Sequence, residues 1–459
     1  MIHENAWTTY GAEDLQKLER LSADYIDFLN HGKTERECTA QIVAMAKNNG
    51  YRDLADIISN EEPLRKGDRV YAVNMDKMVM LVNVGDNIVN KGMNIIGAHI
   101  DSPRLDIKQN PLYESDELAY LDTHYYGGIK KYQYVTMPLA LHGVVVKKDG
   151  TKVTVSIGEK DDDPVFIISD LLIHLANEQM QKTASKVIDA ENLDILVGCK
   201  PLKGEEKDAV RAAVLKLLKD EYDIEEDDFV SAEIEAVPAG KAREVGFDRS
   251  MIAGYGHDDR CCAFPAAVAL MEVSDPETTS CGLFVDKEEI GSVGATGMES
   301  RFFENMVREI LGRMGEYSEI NLSRCLRNSR MLSSDVSTAY DPLYADKFEK
   351  KNTAKLGHGL TFCKFTGARG KSGANDANAE YLGQLRNIMD KHNVVYQTSE
   401  LGKVDVGGGG TIAYILSLYG MQVVDCGVPI LSMHSPWETL SKSDLYEALK
   451  GYKAFLTEA

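Results

Sequence analysis

The sequence predicts an α/β fold interrupted by a β-rich insertion, and three observations carry that prediction. From Ala253 onward, apolar strand-like runs alternate with amphipathic helical stretches, the pattern of helices crossing over between strands of a mainly parallel sheet. After Pro103 the character changes to paired strands, with a Lys148-Asp149-Gly150 turn between two apolar runs. The length of 459 residues exceeds the size at which single cores stop growing, so two domains are expected. Residues 1–106 and 247–459 form one discontinuous α/β domain and residues 107–246 the insertion, with joints placed to within about ten residues.

Taken in order, Glu13 to Asn30 and Thr34 to Asn49 read as helices, and Arg69 to Val73 and Met78 to Val84 as strands. A strand from Met93 to Ala98 leads into His99. Within the insertion, Tyr134 to Lys147 and Lys152 to Ile157 make a hairpin, and Val165 to Gln181 and Glu205 to Tyr222 read as helices. Strand character resumes from Ser231 to Val237. Further on come a helix at Ala263 to Met271, a strand at Gly282 to Val285, a helix at Arg301 to Met314 and a strand at Met421 to Val424.

Hydrophobic content of 44% and charged content of 27% are those of a globular protein. The net charge of −21 opposes nucleic acid and anionic membrane surfaces as partners. Met1-Ile2-His3-Glu4-Asn5-Ala6 carries neither a basic region nor an apolar core, and no apolar run approaches the roughly 20 residues that span a bilayer. A cytoplasmic location is expected. The eight cysteines include a vicinal Cys261-Cys262 but no Cys-x-x-Cys, so they read as small buried residues rather than a zinc-thiolate site or disulfide framework.

Chemistry enters with Glu288 and Glu289, which follow the apolar run Cys281-Gly282-Leu283-Phe284-Val285. In extended backbone, adjacent side chains point to opposite sides, so one carboxylate can hold a metal while the other works as a base. Taken alone, the pair reads more readily as a solvated turn than as a site. Four other segments have the same strand-end character: Gly97 to Pro103, Gly256 to Arg260, Leu332 to Val336 and Leu431 to Pro436. In α/β folds, ligands bind outside the carboxyl ends of the strands. The histidines and carboxylates there make a mixed nitrogen and oxygen set that suits zinc or a similar divalent ion. Each has a plainer alternative: His99 and His434 as satisfied loop histidines, Asp258 as a helix cap, and Asp335 as a turn residue.

The joint pattern resembles the co-catalytic two-metal aminopeptidases of the phosphorylase/hydrolase-like fold, and within them the aspartyl aminopeptidase and vacuolar aminopeptidase I family. The matching words are His99-Ile100-Asp101-Ser102-Pro103-Arg104-Leu105, Asp286 to Ser292, Ser334-Asp335, Gly409-Gly410-Thr411-Ile412 and Leu431 to Glu438, spread in family order over nearly the whole chain. The resemblance implies an α/β/α catalytic domain with an inserted dimerisation domain. It implies two divalent metal ions, zinc before cobalt or manganese. His99, Asp258 and Asp335 would hold one ion; Asp258, Glu289 and His434 would hold the other. Glu288 would be the general base, and Asp101 would orient His99. The implied activity is removal of N-terminal residues from peptide substrates, by a homo-oligomer that relatives build as a tetrahedral dodecamer.

Departures from the family pattern also inform the reading. Asp258-Asp259-Arg260 stands where many relatives have Asp-Asn and resembles the tetrahedral glutamyl and leucyl aminopeptidases of the same fold; Asp258 is preferred as ligand because it comes first in both patterns. Lys364 to Asn375 falls where aspartyl enzymes place a basic residue for an acidic side chain; Arg369 or Lys371 could serve, and a neutral preference stays open. In relatives the insertion can lend a residue to a neighbouring active site, but His174, among Leu171, Leu172, Ile173 and Leu175, is read as part of a buried amphipathic helix. Gly408, Gly410 and Ala413 also fit a G-x-G-x-x-A phosphate loop, without the preceding strand such a loop needs. A carboxypeptidase or deacylase on the same fold, and a non-catalytic assembly or cargo protein, are the rival readings.

Overall fold

The computed structural model describes residues 4–459; Met1 to His3, part of the opening segment read for a leader, lie outside the described residues. The chain divides into two units. One comprises the chain up to Asp101, Ala242–Met433 and Glu438–Ala459; the other comprises Ser102–Lys241 and His434–Trp437. The sequence put the joints near residues 106 and 247. Among the described residues no helix is long and apolar enough to cross a membrane.

The first unit is built on a nine-stranded sheet in the order Arg52–Asp53, Arg69–Asn74, Met78–Asn83, Thr279–Val285, Met93–His99, Arg330–Ser334, Gln422–Gly427, Leu360–Cys363 and Tyr396–Thr398. The four strands from Thr279–Val285 to Gln422–Gly427 run parallel, while Met78–Asn83 and Leu360–Cys363 join them antiparallel. The sheet is thus mixed: the expected parallel pairing runs through its centre and recurs in the two edge pairs, Arg52–Asp53 with Arg69–Asn74 and Leu360–Cys363 with Tyr396–Thr398. Both of its faces are covered, which the central strands show by alternation. Val79, Leu81 and Ile96 enter one core, with Leu18, Ile42 and Phe264 from helices; Met80, Val82 and Ile95 enter another, with Val307, Ile310 and Leu322. A strand buried on both faces is a continuous apolar run, as Met78 to Val82 is. Three layers, α/β/α, follow from that.

Local signals place the helices. Ala12–His31 buries Leu18, Leu21, Tyr25, Phe28 and Leu29 along one stripe. Glu35–Asn48 starts at Thr34, whose hydroxyl accepts the Glu37 N–H at 3.2 Å while the Glu37 carboxylate accepts the Thr34 N–H at 3.1 Å. Losing such a cap costs about 1 kcal/mol. A five-stranded sheet completes this unit, in the order Arg243–Val245, Met251–Gly254, Glu438–Ser441, Pro429–Leu431 and Ser337–Thr338.

The second unit is a six-stranded antiparallel sheet, ordered Lys152–Ile157, Leu139–Val146, Ala232–Pro238, Arg104–Ser115, Leu118–Tyr126 and Ile195–Gly198. The hairpin at Lys148 to Gly150 closes with Gly150 at φ +87°, a backbone that favours glycine. Helix Ala209–Tyr222 forms as the sequence predicts, apart from its first residues. Val165 to Gln181 does not. It runs as extended chain, with bridges Leu139↔Phe166 and Ile167↔Leu196 and short 3₁₀ turns at Ile173–Leu175 and Gln179–Gln181. Leu171, Leu172, Ile173 and Leu175 are exposed, so His174 lies in no buried helix. An amphipathic stretch forms a helix chiefly when its apolar face is packed, and these side chains have no such packing. Of the cysteines, six are buried, Cys363 is half-buried and Cys199 is exposed; all eight are free thiols.

Candidate metal centre

Sheet register brings the sequence-selected residues of the first unit to one edge. Val285 pairs with His99 and Ser333 with Gly97 across parallel strands, so His99, Asp286 to Glu289 and Asp335 all leave the sheet at the same carboxyl end. Asp335 is held there by its N–H donating to the Cys426 carbonyl at 2.8 Å. That close passage requires Gly427: a Cβ there would lie 1.8 Å from the Asp335 carbonyl oxygen.

His99 is buried at 1% exposure. Its Nε2 lies 3.1 Å from Asp258 Oδ1, 3.9 Å from Asp335 Oδ1 and 4.0 Å from Glu288 Oε2. Its Nδ1 lies 3.1 Å from the Asp101 carbonyl oxygen and 3.3 Å from Asp101 Oδ1. Burial alone would lower the pKa of the imidazole, but hydrogen bonds and charges from Asp101 and Asp258, with Asp335 beyond, raise it well above its usual value. The Asp335 carboxyl is also pushed well up, by burial first and then by Glu288 and Asp258, with His99 opposing. Several carboxylates around one imidazole form a site short of positive charge.

Glu288 and Glu289 are not in extended backbone. They open a 3₁₀ turn, Glu288–Ile290, entered through Lys287 at φ +70°. The turn presents both carboxylates to the cluster. Donor atoms of His99, Asp258 and Glu289 lie within 4.8 Å of one another, and so do those of His99, Glu288 and Asp335. These two sets share His99, whereas the resemblance makes Asp258 the shared ligand. One nitrogen and four carboxylates converging at this spacing fit a divalent ion of the zinc type. His434 belongs to the second unit, where its Nδ1 lies 3.0 Å from the Gly128 carbonyl oxygen.

Asp258 and Asp259 stand at the start of helix His257–Glu272, both with non-helical backbone. Asp259 is fully buried; its Oδ2 accepts the His99 N–H at 3.3 Å, and burial pushes its pKa well up. Arg260 donates to the carbonyls of Ile100 and Lys33. Sequence reasoning missed two neighbours. His257 Nε2 lies 3.1 Å from the Ile252 carbonyl, which can only accept, so Nδ1, 2.7 Å from the Tyr25 hydroxyl, is the acceptor there. Burial, aided by the Arg260 charge, holds its pKa down at about 3. Glu438 is 1% exposed, and its Oε2 accepts the Asp258 N–H at 3.0 Å. Glu438 ended one of the motif words, but nothing in the sequence linked it to a residue 180 positions away.

In the loop read for substrate choice, Lys371 lies 4.0 Å over the Phe365 ring and 3.2 Å from Asp376 Oδ2, and Arg369 is exposed. Among the glycines, Gly407 to Gly410 follow turns rather than a strand, against a phosphate loop. Thr411 beside them donates its hydroxyl to the buried Asp425 carboxyl.

Comparison with known proteins adds the family. The profile described as "Aminopeptidase I zinc metalloprotease (M18)" matches residues 28–456. A "Probable M18 family aminopeptidase 1" of Clostridium acetobutylicum is 56% identical over 99% of this chain and 98% of its own length. The namesake of Thermotoga maritima is 44% identical over 99% of both. Among solved structures, the Thermotoga maritima M18 aminopeptidase superposes with a TM-score of 0.95 over 100% of both chains at 44% identity. Aminopeptidase I of Clostridium acetobutylicum does so at 0.93, with 55% identity over 99% of this chain and 98% of its own. A yeast mApe1 structure described as a dodecamer, 18% identical, shares the fold at 0.78 over 96% of this chain and 97% of its own. With a family profile spanning nearly the whole chain and relatives of this identity along its full length, the chain belongs to the M18 family of zinc metalloproteases and is a metal-dependent aminopeptidase.

Proposed function

We propose that this aminopeptidase removes single N-terminal residues from peptides at a two-metal site, with Glu288 as general base. His99, Asp258 and Asp335 would hold one ion; Asp258 and Glu289, with His434, would hold the other. The observation that supports this reading is the convergence of Asp258, Glu288, Glu289 and Asp335 on the single imidazole of His99. When bound, the ions supply Lewis acidity to the peptide carbonyl and acidify water. Glu288, half-buried in its turn, takes the proton from the attacking water and passes it to the leaving amine. Asp101 positions His99 and the glutamate turn.

The metal-holding unit is the catalytic domain, and the antiparallel unit serves dimerisation within a homo-oligomer. A dodecamer is the assembly named for the yeast relative, which shares the fold alone. The location proposed is the cytoplasm, and the native ions zinc, with cobalt or manganese as functional substitutes. Preference between acidic and neutral N-terminal residues turns on Arg369 and Lys371. Because Lys371 is engaged by Phe365 and Asp376, Arg369 is the better candidate for an acidic side chain.

A panel of aminoacyl chromogenic substrates and N-blocked peptides, run on metal-stripped protein reloaded with zinc, cobalt or manganese, tests the reading. Free-amine substrates should be cleaved and blocked ones left intact. Efficient cleavage of blocked peptides would move the activity to a deacylase or carboxypeptidase.

A further inference from the structure

We infer that Glu438 is a positioning residue for Asp258, setting the aim of that carboxylate at the metal centre. The inference rests on the proposed role of Asp258 as a ligand. Asp258 cannot be aimed by its own helix, because its backbone, at φ −79° and ψ 107°, is not yet helical. The first N–H groups of a helix have no partner within it and are satisfied from outside. Here the outside partner is a side chain from a different part of the chain. Glu438 opens the strand Glu438–Ser441, pairs with Gly254 of Met251–Gly254, and sends its carboxylate to the Asp258 N–H at 3.0 Å.

The same pair of strands fixes the residue before it, since Ile252 of Met251–Gly254 takes the His257 Nε2–H at 3.1 Å. Two consecutive residues are therefore pinned by two adjacent paired strands. With its N–H anchored, Asp258 projects Oδ1 to within 3.1 Å of His99 Nε2. Glu438 itself is 1% exposed. A buried carboxylate is costly unless hydrogen-bonded, and the Asp258 N–H supplies such a bond.

Zinc affinity of the metal-stripped full chain, measured by competition with a chromophoric chelator, tests this with two variants of equal side-chain length. Glu438→Gln keeps an acceptor oxygen and Glu438→Met does not. Glu438→Met should weaken zinc binding by about 10–100-fold, the usual effect of losing a partner behind a ligand, while Glu438→Gln should stay within about threefold of wild type. In an Asp258→Asn background, Glu438→Met should add no further loss. Wild-type affinity in Glu438→Met, equal damage in Glu438→Gln, or a full additional loss in the double variant would each overturn the inference. If Glu438→Met does not fold, Glu438→Asp, one methylene short, takes its place, and wild-type affinity there overturns it. Unchanged zinc affinity in Asp258→Asn would overturn the ligand reading and this inference together; loss in Asp258→Asn without loss in Glu438→Met overturns only the inference.

Discussion

Asp101 Oδ1 accepts the main-chain N–H of Glu288 at 3.2 Å while lying 3.3 Å from His99 Nδ1. Its Oδ2 takes the Glu289 N–H at the same distance of 3.2 Å. One fully buried carboxylate therefore ties the histidine to the turn that carries both glutamates. Asp101→Asn replaces one acceptor oxygen with a donor, which cannot meet an N–H. Bound zinc and kcat should both fall, by about 10–100-fold in affinity or activity. Metal analysis after dialysis, beside steady-state kinetics, checks this; an Asp101→Asn enzyme with normal zinc and normal kcat would leave the tie without a role.

Glu288→Gln removes the proposed base while preserving size. Zinc content should hold and turnover should drop by about 10²–10⁴-fold, as for a lost general base. Near-normal kcat in a fully loaded variant would refute the assignment.

Glu289→Gln takes away a proposed charged ligand rather than the proposed base. The expected result is a loss of one bound equivalent of zinc per chain at limiting metal, with activity regained as zinc is raised. Titration calorimetry on the stripped protein resolves the two affinities; two unchanged sites would remove Glu289 from the ligand set.

Asp425 offers a test by pH away from the glutamates. Burial pushes its pKa up to about 7, against the Thr411 hydroxyl that donates to it. Below about pH 4 the folded and unfolded chains both hold the proton, so nothing is lost. Between about pH 4 and pH 7 the unfolded chain releases it and the folded chain does not, so stability falls as pH rises and levels off above. Asp425→Asn cannot titrate. Its Tm relative to wild type should climb across that window, and parallel Tm curves from pH 4 to pH 7 would contradict the argument.

Much of this was legible in the sequence because parallel strands place their carboxyl ends on one edge. Reading which apolar runs end in His99, Glu288 and Asp335 was enough to nominate residues that the register then brings together. The turn at Glu288–Ile290 was not legible, since it depends on Lys287 taking a left-handed backbone that its residue type does not announce. Leu171 to Leu175 misled for the opposite reason: their spacing suits a helix, but helices need a surface to pack on. Glu438 was hidden because a side chain meeting a distant N–H leaves no periodicity.

The in-register pairing of Val285 with His99 makes the apolar strand Thr279–Val285 a ruler as well as a wall. Its length sets where the glutamate turn begins relative to the histidine. A single-residue deletion inside it would slip the phase, turning Leu283 and Phe284 toward the wrong cores and drawing the turn back by about 3.3 Å. Substitutions that keep apolar bulk there should be tolerated far better than any change of length. In a redesign of this enzyme the length of that strand is a fixed margin, and so is the turn in which it ends.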